Sequence, residues 1–240
     1  MKSFIYILLT SLTFLVVGCQ NESEEIRLIN QAERLFDAYP DSVITTLDSI
    51  PLPEEMSPRL VARWCMLYAR AADKIEDEMP YTNQLEIALK YYQKKKMREE
   101  EAEIGLYLGR SYVEDKEYEK AMRAYSDALE VALAIKDYNR AGYICSYMGD
   151  LYEVDLRYIL AAEKYKESGK YFHLANNTTS YVRAFVNEAH SYSIADSSYL
   201  ALASLKQAEM VMDSLNVEEV RSYVYNGLGN IYNDLGDYDL

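Results

Sequence analysis

The fold of this chain is decided by two stretches, LGRSY at residues 108–112 and YEKAMRAYSDA at residues 118–128. Residues three and four apart lie on the same face of a helix. Both stretches place small and aromatic residues at this spacing: Gly109 and Tyr112, then Ala121, Tyr125 and Ala128. The pattern predicts two antiparallel helices with a turn at 114–117, in which small residues of one helix pack beneath aromatic rings of the other.

These residues recur at intervals of 40 along the chain, which predicts a repeated helix pair. The recurring positions are Gly109, Gly149, Ala189 and Gly229; Tyr112, Tyr152, Tyr192 and Tyr232; Ala121, Ala161 and Ala201; Tyr125, Tyr165 and Leu205; Ala128, Ser168 and Ala208; and Tyr118, Tyr158 and Tyr238, with Ser198 as the exception. The many tyrosines of the chain are therefore expected to be mostly core residues, not a binding platform.

Composition is consistent with a helical protein. Of 240 residues, 50% are apolar, which is enough for a packed core, and no proline occurs from Tyr81 to Leu240. The net charge of −14 argues against general nucleic-acid binding, which needs clustered Lys and Arg. Residues 20–56 and residues 187–240 each carry nine acids and two bases, so the charge lies at the two ends of the chain.

The first nineteen residues are typical of an export signal. Lys2 precedes an apolar run from Phe4 to Val17, which is too short to span a bilayer as a helix. The sequence Val16-Val17-Gly18-Cys19 resembles the lipobox of bacterial lipoproteins, which implies cleavage after residue 18 and a lipid on Cys19. An uncleaved N-terminal anchor with an incidental cysteine is the alternative.

The residues after Cys19 bear on localisation. Gln20 is not an aspartate, and in lipoprotein sorting this implies the outer membrane, on the periplasmic or the cell-surface side. The stretch 21–25, in which three of five residues are glutamate, resembles surface-export tags of some Gram-negative lipoproteins, but it is also typical of a solvated tether.

The repeated stretches resemble the tetratricopeptide repeat. Leu108-Gly109-x-x-Tyr112 followed by Tyr118, Ala121, Tyr125 and Ala128 is similar to its signature, although the usual unit has ~34 residues. The resemblance implies an all-α, right-handed superhelical solenoid of antiparallel helix pairs. The usual aromatic of the first helix is replaced by Gly105 and Cys145, so looser packing is expected there.

The N-terminal signal, the predicted turns and the repeats together give the domain organisation. The predicted segments are a signal peptide (1–18), a tether (19–23), an N-terminal helical hairpin (24–56) turned at residues 39–42, and a solenoid (57–240) with repeats near 58–97, 99–136, 138–175, 178–215 and an incomplete 217–240. The run from Pro40 to Ile50 resembles the start of tetratricopeptide lipoproteins of Gram-negative bacteria, including sensor proteins that continue into a membrane helix and a regulatory domain.

The last repeat has a first helix and no second one. A solenoid requires a polar cap at its end, so Tyr225, Leu228 and Tyr232 are expected to be exposed, and the chain is expected to continue beyond Leu240 in the complete protein.

No arrangement of residues predicts catalysis, a metal or a cofactor. His173 and His190 lack a ligand neighbour at helical spacing, and Gly227-Leu228-Gly229 lies inside a predicted helix, not after a strand. Cys65 and Cys145 lie two repeats apart, beyond the reach of a disulfide, and are expected to be buried. The basic run 94–98 and the acids after it suit the end of one helix and the start of the next.

The resemblance implies that the first helix of each pair lines a groove. On that face, each first helix contributes three residues at spacings of three and four. They are Arg63, Met66 and Arg70; Glu103, Leu106 and Arg110; Tyr143, Ser146 and Asp150; Arg183, Val186 and His190; and Tyr223, Asn226 and Asn230. Arginines can bind carboxylates in bidentate fashion, so this face suits a carboxylate-bearing peptide. The alternative is an ordinary solvated face.

These observations predict a membrane-anchored, non-catalytic scaffold that binds a protein or peptide, or the sensor part of a longer regulatory protein. The candidate groove residues are Arg63, Arg70, Arg110, Tyr143, Arg183, His190, Tyr223, Asn226 and Asn230. No cofactor, metal or nucleic acid is expected. A glycan-binding outer-membrane lipoprotein is the alternative from another class.

Overall fold

The computed structural model describes residues 23–51 and 53–236, and these residues form helices and turns without a strand. In chain order, eleven α-helices are described: α1 Glu24–Leu35, α2 Pro40–Asp48, α3 Pro58–Ile75, α4 Thr82–Lys95, α5 Arg98–Glu114, α6 Tyr118–Ala134, α7 Tyr138–Val154, α8 Tyr158–Leu174, α9 Thr178–Ile194, α10 Ser198–Leu215 and α11 Arg221–Leu235. Short 3₁₀ helices, Pro53–Glu55 and Glu218–Val220, precede α3 and α11.

The helices form two layers. The odd-numbered helices are the first members of the pairs, the even-numbered helices are the second members, and each helix packs against its neighbours in the chain. First helices also contact one another between α1 and α3, α3 and α5, α5 and α7, and α9 and α11. The prediction of an all-α solenoid of antiparallel helix pairs is confirmed.

The turns share one backbone conformation with a period of 20 residues. Between α5 and α6, Lys116 has φ of 59°, and the Glu117 N–H donates to the Tyr112 carbonyl at 2.8 Å. This arrangement satisfies the carbonyl groups at the end of a helix. Residues with positive φ occur in the described segments at Glu76, Lys96, Lys116, Lys136, Leu156, Asn176, Asp196, Asn216 and Gly236.

The two helices of a pair approach closely at the small-residue position. A Cβ added to Gly109 would lie 2.2 Å from Cε1 of Tyr125, and one added to Gly149 would lie 2.7 Å from Cε1 of Tyr165. Both tyrosines are almost fully buried. Small residues beneath aromatic rings therefore set the helix–helix distance, as the repeat pattern predicts.

Three local expectations need correction. Residues 40–42 begin helix α2 instead of forming a turn, because Pro40 is favourable in the first turn of a helix. Leu228 is buried, because α9 and α10 already cover it, whereas Tyr225 is exposed and Tyr232 is half-buried. Packing at Gly105 is tight on the α6 side, since an added Cβ would lie 2.9 Å from Cβ of Ala128.

The signal peptide and Cys19 lie outside the described residues, as does Tyr238. In the part of the chain that the structure describes, no helix has the length and apolarity needed to cross a membrane.

Replacing Gly109 by alanine should lower the free energy of unfolding by about 1–2 kcal/mol, because the added methyl group displaces the ring of Tyr125. Gly229 occupies the equivalent position in α11 and has no neighbour within 4 Å of an added Cβ. Gly229→Ala should therefore stabilise the protein by about 0.5–1 kcal/mol through helix propensity alone. Urea unfolding, monitored by circular dichroism, measures the free energy of unfolding of both variants. Equal changes for Gly109→Ala and Gly229→Ala would contradict the packing role of Gly109.

Candidate functional site

The candidate site is the face of the first helices that points away from the second helices, here called the groove. Residues 40 apart on this face lie side by side on successive first helices, so the fifteen predicted positions form three rows across α3, α5, α7, α9 and α11. One row is Arg63, Glu103, Tyr143, Arg183 and Tyr223. The groove divides into two sections with different chemistry.

In the N-terminal section, the arginines are held by acids of the chain itself. The Arg63 guanidinium donates to Glu33 at 2.7 Å and to the Asn30 side chain at 2.9 Å, which joins α1 to α3. Arg110 pairs with Asp73 and joins α3 to α5. Neither arginine is a free cation in this structure.

Glu103 is the centre of this ion-pair network. Its side chain is only 11% exposed and accepts two hydrogen bonds from Arg70, at 2.6 and 2.7 Å. Arg140 donates to the same carboxylate at 3.2 Å, and the Tyr107 hydroxyl donates at 3.3 Å. Burial alone would raise the pKa of Glu103, but the hydrogen bonds and charges of the arginines outweigh burial and lower the pKa.

In the C-terminal section, no ion pair joins one described first helix to the next. The Tyr143 and Ser180 hydroxyls lie 3.4 Å apart, and the ring of Tyr143 packs edge-on against Phe172. The Arg183 guanidinium lies over the ring of Tyr223, 5.7 Å from its centroid. Among the described residues, Arg183 forms no ion pair, and it is exposed.

A cavity of about 280 Å³ opens into the groove between α9 and α11. Its floor is apolar, and its polar lining includes four of the predicted groove residues: His190, Tyr223, Asn226 and Asn230. The floor is formed by Val186, Ala189, Leu205, Gly227 and Ile231. The structure therefore brings together four predicted residues that are up to 40 positions apart in the chain.

Two cavity residues, Asn187 and Ser193, were missed by the sequence reasoning because only three positions per helix were sampled. Gly227, which the sequence offered only as part of a Gly-x-Gly pattern, has a packing role. A Cβ added there would lie 2.7 Å from Cδ2 of Leu205, so glycine lets α11 approach α10 beside the cavity.

The two cysteines in the described part of the chain, Cys65 and Cys145, offer no reactive group. Cys65 and Cys145 are buried and not joined in a disulfide, as expected. Burial raises the pKa of the Cys145 thiol to about 12, so the nucleophilic thiolate is scarce at neutral pH. No group of three metal-ligating side chains is found within residues 23–51 and 53–236.

Neither the known protein families nor the curated proteins include a match to this chain. Solved structures do match. The apo form of RapI is 12% identical with a TM-score of 0.67, over 89% of this chain and 83% of RapI. BtubC from P. vanneervenii is 18% identical with a TM-score of 0.54, over 78% and 74% of the two chains.

A third match is a putative kinesin light chain of Podosopora anserina with nearly identical TPR-like repeats. It is 11% identical with a TM-score of 0.57, over 84% of this chain and all of the other. The fold is a tetratricopeptide-like repeat solenoid. At these identities the similarity establishes the fold alone.

Replacing Arg70 by glutamine should lower the free energy of unfolding at neutral pH by about 1–2 kcal/mol, because the largely buried carboxylate of Glu103 loses its main donor. Since the pKa of Glu103 is lowered in the folded state, its contribution is present above the ordinary glutamate pKa of about 4.3 and is lost as the pH falls below that value. The variant should therefore lose less stability than the wild type on acidification.

Thermal unfolding between pH 7 and pH 3 measures both effects. Arg123→Gln is the matched control, since Arg123 forms an exposed pair with Glu119 at 3.9 Å and should contribute little. Equal pH profiles for wild type and Arg70→Gln would show that the Glu103 network does not stabilise the fold.

Proposed function

We propose that this protein is a non-catalytic scaffold that binds a protein or peptide in the C-terminal section of its groove. The observation that carries the proposal is the contrast between the two sections. Arg63, Arg70 and Arg110 are engaged by acids of the chain, whereas polar groups around the cavity between α9 and α11 have no hydrogen-bond partner among the described residues. Groups of that kind are available to a ligand.

The unengaged groups suit a peptide backbone. Asn226 and Asn230 are four residues apart on α11, so their amides lie on one face of the helix. Each amide offers donors and an acceptor, which complement the C=O and N–H groups of an extended peptide. Tyr143 and Tyr223, which are 39% and 56% exposed, provide flat surfaces for apolar side chains.

The solenoid fold supports the same proposal. Stacked helix pairs create an extended surface on which several residues of a ligand are bound in succession. The buried thiols and the ion-paired carboxylates of the N-terminal section argue against a nucleophile or general base in these places. No contact in the structure favours a glycan over a peptide.

The N-terminal sequence supports membrane anchoring as part of the proposal. Signal-like residues 1–18 lead to Cys19, and helix α1 begins at Glu24, so a lipid on Cys19 would hold the solenoid close to the membrane surface. The proposed location is the outer membrane, with the solenoid on its periplasmic or cell-surface side, alone or as the sensor part of a longer protein.

Mass spectrometry of the mature protein should find an N-terminus at Cys19 that carries two or three acyl chains. Cys19→Ser should abolish the acylation and release the protein from the membrane fraction, because the anchor is then lost. A mature chain that begins at Met1, or one cleaved elsewhere, would disprove the lipoprotein assignment and leave the groove proposal untouched.

A photo-reactive amino acid at position 226 should crosslink to the partner in cells, whereas the same group at position 123, on the exposed surface of α6, should not. Replacing Tyr223 and Asn230 by alanine should reduce the crosslinked product roughly tenfold, because central contacts carry most of the binding energy. Circular dichroism controls for folding. Crosslinking from position 123 and not from position 226 would show that the partner binds outside the groove.

A further inference from the structure

Arg183 differs from the other three arginines at the groove positions. In the described part of the chain, its side chain has no ion pair. The other three, Arg63, Arg70 and Arg110, each pair with an acid within 4 Å. The groove therefore contains one guanidinium whose charge is left for a group from outside the chain.

The position of Arg183 links this charge to the cavity. Its guanidinium carbon lies 5.7 Å from the centroid of the Tyr223 ring, and Tyr223 also lines the cavity. The N–H groups of the Arg183 guanidinium form no hydrogen bond with the described residues, so they can form two parallel hydrogen bonds with a carboxylate.

The cavity limits what can bind next to Arg183. Its volume of about 280 Å³ is just below the range of roughly 300–1,000 Å³ that is usual for whole small-molecule ligands. The floor of Val186, Leu205 and Ile231 is apolar. These properties fit one apolar side chain.

Three acids of this part of the chain have partners within it, and none occupies a groove position of α9 or α11. None of the groove positions on α9 and α11 is acidic. Glu188 is buried and lies 3.7 Å from Lys166, Glu218 pairs with Arg221, and the Thr179 hydroxyl donates to Glu219. The Arg183 guanidinium is therefore the permanent charge among the groove positions of α9 and α11.

We propose that the cavity and Arg183 together bind a carboxylate-bearing apolar residue of a peptide, with the apolar side chain in the cavity and the carboxylate on the guanidinium. The inference rests on the proposed function and specifies its ligand. Two sources share this chemistry: the C-terminal carboxylate of a chain that ends in an apolar residue, and an aspartate or glutamate beside an apolar residue within a chain.

Three peptides test the inference by NMR titration of the full-length protein. The first is acetyl-glycyl-seryl-glycyl-leucine with a free carboxylate, the second is its C-terminal amide, and the third is the amide of acetyl-glycyl-seryl-aspartyl-leucine, in which the aspartate is next to the leucine. The wild type should bind a carboxylate peptide about tenfold more tightly than the neutral amide, as expected for a charge-assisted hydrogen-bond pair. The preference between the first and third peptides identifies the source of the carboxylate.

Variants separate the contributions. Arg183→Gln should remove the tenfold preference and leave the affinity for the neutral amide unchanged. Arg70→Gln is the control, since Arg70 is paired with Glu103 and should leave all three affinities unchanged. Val186→Trp should fill the cavity and abolish binding of every peptide.

The possible results are distinguishable. If all three peptides bind equally and Val186→Trp blocks them, the groove binds peptides but the carboxylate inference is wrong. If Arg70→Gln weakens the carboxylate peptides as much as Arg183→Gln does, the carboxylate is bound elsewhere and the inference is again wrong. If no peptide binds, or if Val186→Trp has no effect on binding, both the inference and the proposed use of this cavity are overturned.

Discussion

The close approach of paired helices at one small residue per repeat is the contact on which the solenoid depends. Gly109 and Gly149 leave room for the rings of Tyr125 and Tyr165, and each ring fills the space that a Cβ would occupy. Because the same contact recurs every 40 residues, successive pairs stack with the same geometry, and the first helices present equivalent faces side by side. The groove is a consequence of that stacking.

The packing of the helices determines the conformation of the turns, and the residue types at the turns do not. Leu156 adopts φ of 58° and is 72% exposed, although a left-handed conformation costs an L-residue about 1–2 kcal/mol. Glycine occupies this turn position only at Gly236. Residue type therefore does not select the conformation at most turns. The lengths of the two helices and the burial of their faces place a turn every 20 residues. The turn residue then adopts the left-handed conformation that joins the two helices.

The repeat made the fold predictable from the sequence, because a spacing of three and four fixes which residues share a helix face. It also placed His190, Tyr223, Asn226 and Asn230 correctly on one surface. The ion pairs were not predicted, since a spacing within one helix contains no information about the next. Arg70 pairs with Glu103, 33 residues later, and Arg110 pairs with Asp73, 37 residues earlier. The first separation is one 40-residue repeat minus about two helical turns, and the second is one repeat minus about one turn. An acid at either offset from a groove arginine was therefore the pattern that could have predicted these ion pairs.

The ion pairs change the meaning of the charge pattern. Arginine-rich groove positions suggest an anion-binding surface over the whole length of the solenoid, but a charge that is neutralised within the chain contributes little to ligand binding and must lose its partner before it can bind another. Glu103 holds two arginines from two helices at once, which couples α3, α5 and α7 in one arrangement. Among the described residues, helices α7 and α9 are joined by hydrogen bonds and by no ion pair: the Tyr143 and Ser180 hydroxyls lie 3.4 Å apart, and the Ser191 hydroxyl donates to Glu153 at 2.6 Å. Ion pairs between the described first helices are therefore concentrated in the N-terminal section, and the polar groups without a hydrogen-bond partner around the cavity lie in the C-terminal section. A ligand that inserts between α9 and α11 can be accommodated without breaking a single ion pair of the first-helix layer.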